Sequence, residues 1–228
     1  MAKAGGPGGT GYYPVYLDLA GKSCLVLGGG APACDKALGL VAAGADVSVV
    51  AEAFEPEMVE LGGTHAVRLL CHAFAADDLD GVLVVIDASL DEALGRRVAE
   101  AARRRRVLVN VLDRPALCDF IAPAVVRRGP LQVAVSTAGR SPFMASHVRR
   151  LLEATLGPEY GELVDLVGEL RDSLRADGVP LTEQAAIYER VPRSGALELL
   201  REGDYAGARR VVQACVTDPS EVEPALLG

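Results

Sequence analysis

The chain has 228 residues, half of them apolar, with aromatics at only 4% and no Trp. It can therefore bury a core made mostly of Val, Leu and Ala, as one large domain or as a nucleotide-binding domain with smaller appendages. A formal net charge of -8 argues against nucleic acid as a partner, because phosphate neutralisation needs a basic face, and no apolar run is long enough to span a bilayer. The five cysteines, Cys24, Cys34, Cys71, Cys118 and Cys215, contain no C-x-x-C pair. Their odd count favours reduced thiols in a soluble, cytoplasmic protein over a disulfide framework, and none has structural-zinc spacing, so no metal site is expected.

Residues 1–11 are Gly-rich and lack the apolar stretch of a signal peptide, so a flexible tail is expected there. Tyr12 to Leu19 reads as a short extended segment, and Gly21-Lys22 as a turn. Ser23 to Leu27 is a continuous apolar run ending in Gly28-Gly29-Gly30, the pattern of a strand buried on both faces of a parallel sheet. Ala33 to Ala43 has helical spacing at Ala33, Ala37, Leu40 and Val41, with Gly44 where a C-terminal cap belongs. Asp46 to Ala51 is a second strand, which completes a βαβ unit.

The alternation continues with a short helix over Glu55 to Leu61, a strand over Ala66 to Cys71 and a turn over Asp77 to Gly81. Val82 to Ile86 carries the strongest strand signal. Asp91 to Arg106 reads as a helix with Ala93, Leu94, Val98, Ala101 and Ala102 along one stripe. Its run Arg103 to Arg106 reads as a solvated helix end, where cations favour the macrodipole. Val107 to Val111 is a further buried strand. Strands alternating with helices predict a mostly parallel, doubly wound α/β sheet.

The pattern then changes. Phe120 to Val126 and Leu131 to Val135 read as two antiparallel strands, with Arg127 to Pro130 as a reverse turn between them. Pairing with a second subunit is one way to protect such an edge. Helices are expected over Phe143 to Leu156, entered through Ser141-Pro142, and over Tyr160 to Asp177, with Leu163, Leu166, Val167 and Leu170 on one face. Gly178-Val179-Pro180 breaks the chain. Shorter helices follow over Thr182 to Arg190, Ala196 to Glu202 and Tyr205 to Thr217.

Gly28-Gly29-Gly30-Ala31-Pro32-Ala33 satisfies G-x-G-x-x-A between a strand and a helix, the context that gives this pattern meaning. Gly28 permits a tight turn, Gly30 lets a pyrophosphate approach the backbone, and Ala33 lets the helix pack closely. The helix N-terminus then offers N–H groups to the phosphates. Pro32 removes one such donor, which is tolerable in a first turn. Glu52 follows the second strand at the place of the acidic residue that holds ribose hydroxyls, with no adjoining Arg for a 2′-phosphate, so NAD is favoured over NADP. A glycine-rich turn that binds nothing has the same local pattern. Ala53 and Ser89 complete the expected cofactor set.

Ligands of open α/β sheets bind outside the carboxyl ends of the strands. Asp113, just beyond the fifth strand, stands at the mouth of that crevice, a place that also suits an ordinary turn residue. Ser136-Thr137-Ala138-Gly139-Arg140-Ser141-Pro142 can receive a carboxylate through its hydroxyls, its N–H groups and Arg140, or can serve only as a helix entry capped by Ser141. His147, Arg149 and Arg150 follow on the next helix.

Taken in order, these segments resemble precorrin-2 dehydrogenases of the siroheme pathway. The resemblance is carried by Tyr13-Pro14-Val15-Tyr16-Leu17-Asp18-Leu19, Leu25 to Gly30 with Lys36, Val109-Asn110-Val111-Leu112-Asp113, Cys118-Asp119-Phe120-Ile121 through Pro123, Arg127 to Leu131, and Ser136 to Pro142. It covers about residues 12–175. It implies a Rossmann-like domain (12–118), a small dimerisation region (119–152) and a helical C-terminal region (153–228), assembled as a homodimer. It implies NAD-dependent oxidation of precorrin-2 to sirohydrochlorin, with Asp113 in the catalytic role. Because that tetrapyrrole bears many carboxylates, Arg127, Arg128, Arg140 and Arg149 become substrate-binding candidates beside Ser136 and Thr137.

The chain departs from the family at Pro32, at Asp35, at Val85-Ile86-Asp87-Ala88-Ser89-Leu90 and at Gly95, positions that border the expected crevice. Two other readings stay open. One is a sirohydrochlorin chelatase with weakened NAD use, and the other a non-catalytic tetrapyrrole- or nucleotide-binding module, since fold does not fix function.

Overall fold

A computed structural model describes residues 11–216. The expected tail, except for Gly11, lies outside the described residues, as does Thr217 at the end of the last expected helix. The described residues divide into two compact units, one ending at Ala122 and the other starting at Pro123.

The first unit is a parallel sheet of β1 (Ser23–Leu27), β2 (Asp46–Ala51), β3 (Val67–Cys71), β4 (Val84–Asp87) and β5 (Leu108–Val111), in the order β3-β2-β1-β4-β5. Three helices cover it: α1 (Ala31–Val41), α2 (Pro56–Gly63) and α3 (Glu92–Arg105). Side chains alternate across the sheet. Cys24, Val26, Val49 and Ile86 pack with Ala33, Ala37 and Met58 of α1 and α2. Leu25, Leu27, Val85 and Val109 pack with Val98, Ala99 and Ala102 of α3. Each Val or Leu fully buried in these layers contributes about 1.5–3 kcal/mol of hydrophobic stabilisation. The apolar runs are continuous because both faces of the sheet are covered.

The chain winds outward from β1 through β2 to β3, then returns to place β4 on the other side of β1. That reversal opens a crevice at the carboxyl ends of β1 and β4, where Leu27 lies opposite Asp87 in register.

The second unit holds the antiparallel hairpin of β6 (Ala124–Arg128) and β7 (Leu131–Val135), followed by α4 (Pro142–Thr155) and α5 (Glu159–Ala176). Then come α6 (Leu181–Tyr188), α7 (Ala196–Arg201) and α8 (Tyr205–Ala214). Leu166, Leu170 and Leu174 of α5 pack with Ile187, Leu200, Ala208 and Val212 in a separate core. Gly161 lets α5 pass close to the hairpin, because a Cβ there would run into the Arg128 carbonyl. No helix among the described residues is long and apolar enough to cross a membrane.

Several expected boundaries move. Tyr12 to Leu19 forms no strand; of its apolar residues only Leu19 is buried, while Tyr13, Val15, Tyr16 and Leu17 stay exposed. Helix α1 starts two residues earlier than the apolar spacing suggests, so Pro32 falls inside its first turn. Ala42 is its C-cap, and Gly44 follows with φ +77°, donating to the Val41 carbonyl. In α3 Ala93 is exposed and Gly95 buried. The hairpin begins at Ala124, and the Phe120 carbonyl is taken by the Asn110 side chain at 2.9 Å, not by a strand partner. Arg127 and Arg128 accordingly lie within β6, and the chain reverses at Gly129, φ +53°.

Candidate functional site

The glycine turn leaves β1 directly into the crevice. Gly28 has φ +119°, a conformation that favours glycine, and a Cβ there would stand 3.0 Å from the Ala88 carbonyl. Its N–H donates to Val50 at 3.0 Å, and the Ala88 N–H donates to Leu27 at 2.8 Å, so the turn is tied to the strands on both sides. Gly29 passes so close to Ala53 that a Cβ would collide with its carbonyl oxygen. Gly30 is the N-cap of α1 and its carbonyl accepts from Ala33 and Cys34. The N–H groups of Gly29, Gly30 and Ala31 have no acceptor among the described residues. They present an anion-binding cradle at a helix N-terminus, and Pro32 removes only a donor that has no partner inside the helix.

The position expected to be open to a pyrophosphate has a neighbour that sequence spacing did not single out. The Glu55 carboxylate lies 2.8 Å from where a Cβ of Gly30 would be. Glu55 is the N-cap of α2, exposed, and its N–H donates to the Gly29 carbonyl at 2.9 Å. A phosphate reaching Gly30 requires this side chain to turn away. The Glu-Pro pair at a helix start was the available signal. Glu52 and Ala53 are exposed at the end of β2, with the Glu52 carbonyl accepting from Cys71.

On the other side of the crevice, Asp87 ends β4 and is 1% exposed. Ser89 and Leu90 follow, Leu90 in the left-handed region at φ +64°. Asp91 caps α3 by accepting from the N–H groups of Ala93 and Leu94. Burial holds the Asp87 carboxyl above the usual range of an aspartate, partly offset by hydrogen bonds from Ser89.

Asp113 is exposed beyond β5 with φ +60°, a left-handed position that Asp tolerates better than most residues. Cys118 closes the loop beneath it. Its sulfur accepts from the Val111 N–H at 3.2 Å and lies 3.3 Å from the carbonyls of Val111 and Arg114. Arg114 pairs with Glu92 of α3 at 3.0 Å. The first unit thus brings Gly28, Gly29, Gly30, Ala31, Pro32, Glu52, Ala53, Ser89 and Asp113 to one edge of the sheet, at or just beyond the carboxyl ends of its strands.

In the second unit the expected substrate residues differ in availability. Arg127 and Arg140 are exposed. Arg128 is half-buried and donates to the carbonyls of Leu156 at 2.6 Å, Glu153 at 2.9 Å and Arg127 at 2.9 Å, which caps the end of α4. Arg149 is engaged by Glu153 one turn along the same helix. The Thr137 hydroxyl both donates to the Ser141 carbonyl and accepts from its N–H, at 3.0 Å each. Ser136 accepts from the Ala138 N–H, and Ser141 caps α4 through Met144. This loop is built by its own hydroxyls, and Arg140 projects from it.

A parallel sheet with a topological reversal, and a glycine cradle on a helix N-terminus beside it, define a dinucleotide-binding Rossmann-like fold. A family model described as "Putative NAD(P)-binding" matches residues 15–124, and one described as "Sirohaem biosynthesis protein central" matches residues 128–155. A siroheme synthase of Methylococcus capsulatus is 39% identical over 201 residues, 88% of this chain and 42% of that protein. Its counterpart in Thiobacillus denitrificans is 36% identical over 94% of this chain and 44% of its own length. The solved structure of SirC, precorrin-2 dehydrogenase, superposes with a TM-score of 0.67 at 24% identity, over 90% of this chain and 98% of that one. The chain is thus similar over most of its length to siroheme synthases and carries, in order, segments that match both family models. It spans less than half the length of these curated relatives.

Proposed function

We propose that the chain oxidises precorrin-2 to sirohydrochlorin with NAD as the hydride acceptor. The observation that carries this reading is the crevice between β1 and β4, with an anion cradle of backbone N–H groups on one wall and an exposed carboxylate, Asp113, on a braced loop beyond β5. The names of the relatives, siroheme synthase and precorrin-2 dehydrogenase, support the substrate and the reaction.

NAD, when bound, supplies the hydride acceptor. Gly28 to Ala31 would hold its pyrophosphate and Glu52 its ribose hydroxyls, with Ala53 and Ser89 lining the rest of the cofactor site. The substrate loses a hydride from carbon and a proton, and Asp113 accepts the proton. Positioning of the two reactants and exclusion of water are the remaining contributions of the chain. Arg127 and Arg140 are exposed and suited to pair with substrate carboxylates. Ser136, Thr137 and Arg149 shape the same surface, and Arg128 supports it from β6 by capping the end of α4. Residues 119–152 form a dimerisation region that follows the cofactor domain (12–118) in sequence and precedes a helical region starting at residue 153, in a cytoplasmic homodimer.

The test is an absorbance assay with precorrin-2 generated in situ and NAD. NADH formation together with the sirohydrochlorin spectrum is expected, and ferrous ion added to the same cuvette then tests metal insertion. Asp113→Ala should lower turnover by at least about 100-fold; unchanged turnover removes its catalytic role.

A further inference from the structure

Asp87 is a buried carboxylate at the topological switch point, and the mechanism above does not use it. Its Oδ1 accepts the Ser89 N–H at 3.0 Å, and the Ser89 hydroxyl also donates to this carboxylate. The Ser89 oxygen in turn accepts the Asp91 N–H at 3.2 Å, and Asp91 caps α3. The Asp87 carbonyl accepts the Leu112 N–H at 2.9 Å, next to Asp113. The other carboxylate oxygen fills a space left by a glycine, because a Cβ on Gly95 would stand 2.9 Å from Oδ2 and 2.8 Å from Val111 Cγ1.

We infer that Asp87 is a positioning residue of the cofactor crevice. Its carboxylate sets the loop from Ala88 to Asp91, and Gly95 is required to make room for it. One loop residue then sits against the glycine turn, since Ala88 is what a Cβ on Gly28 would strike. The inference rests on the dinucleotide reading for the choice of NAD as probe.

The groups around Asp87 set the direction of its pH response. Asp91, at the start of α3, adds a like charge, and Arg114, after β5, adds an opposite one that Glu92 partly occupies. β1 presents Leu27, which carries no charge. The ionised carboxylate is the better acceptor for the two Ser89 donors. NAD affinity should therefore fall as pH drops through the raised Asp87 titration.

Isothermal titration with NAD is run on the full chain, on Asp87→Ala, on Gly95→Ala and on the double variant, and across pH on Asp87→Asn. Each single alanine variant should weaken NAD roughly tenfold. The double variant should lose less than the two single losses combined, because removal of the carboxylate relieves one of the two close contacts of a methyl group at 95 and leaves the other, with Val111. In Asp87→Asn the acid loss of affinity should disappear. Lowered melting temperatures with NAD affinity unchanged would overturn the inference, and so would additive losses in the double variant. If Gly95→Ala does not fold, Ser89→Ala cuts the hydroxyl links alone, and unchanged affinity there overturns it equally. Absence of NAD binding by the unsubstituted chain would count against the dinucleotide reading. The Ser89 amide resonance then decides the positioning claim by itself: an acid titration that Asp87→Asn abolishes supports it, and a flat profile refutes it.

Discussion

Asp113 combines an exposed carboxylate with a left-handed backbone at φ +60°. Asn shares the tolerance of Asp for that conformation. Asp113→Asn should therefore keep its melting temperature while losing turnover by about 100-fold or more; parallel loss of both would make the residue structural. Glu55 gives a prediction of opposite sign. Its carboxylate lies at the mouth of the glycine cradle and opposes an incoming phosphate. Glu55→Gln should tighten NAD binding several-fold, less so at high salt, where exposed charges are screened; a titration showing weaker binding would reverse that assignment.

Asp87 has a cost that can be measured without any ligand. Burial raises its folded-state pKa above that of the unfolded chain. Its contribution to stability is therefore fully present below the ordinary Asp range and is lost as pH rises through the raised value. Asp87→Asn should gain stability relative to the parent as pH rises from acid to neutral in urea unfolding. A variant that loses stability relative to the parent over that range contradicts this. A carboxylate that lowers stability at neutral pH and lies in the crevice is the pattern expected of a functional position.

At the scale of elements, capping decides which arginines are free. Arg128 spends its donors on the end of α4, whereas Arg140 extends from a loop already held by Thr137 and Ser141. Arg128→Ala should cost about 1–2 kcal/mol in unfolding experiments by leaving those carbonyls uncapped. Arg140→Ala should leave stability unchanged and raise the KM for the tetrapyrrole. The reverse outcome would exchange their roles. The sequence pattern put both arginines in the reverse turn, whereas the hairpin pairs Arg127 with Gln132 and Arg128 with Leu131 as the last residues of β6. The Phe120 carbonyl before it is held by Asn110, a contact between residues ten apart that no local pattern encodes. The parallel strands were easier to read, because burial on both faces writes unbroken apolar runs such as Cys24 to Leu27 and Val84 to Ile86.

At the scale of the whole chain, none of the five cysteines, all of them among the described residues, forms a disulfide. Cys24, Cys34, Cys118 and Cys215 are buried and only Cys71 is exposed. Burial pushes the thiols of Cys24, Cys34 and Cys215 upward in pKa, which further slows them as nucleophiles. An aromatic disulfide reagent should therefore label one thiol quickly in the native chain and five after denaturation. Two or more fast thiols would indicate a more open core.

The sequence alone determined the order of strands and helices in the first unit and the glycine turn at the end of β1. It also placed Glu52 and Asp113 near the carboxyl ends of strands, because apolar periodicity and turn chemistry are local properties of neighbouring residues. Only the tertiary structure decided that Glu55 stands over Gly30, that Gly95 leaves space for the Asp87 carboxylate, and that Cys118 braces the Asp113 loop. Each of those joins residues brought together by the winding of the sheet, and the energy that fixes them is exclusion of volume or burial of charge, neither of which leaves a periodic trace in the sequence.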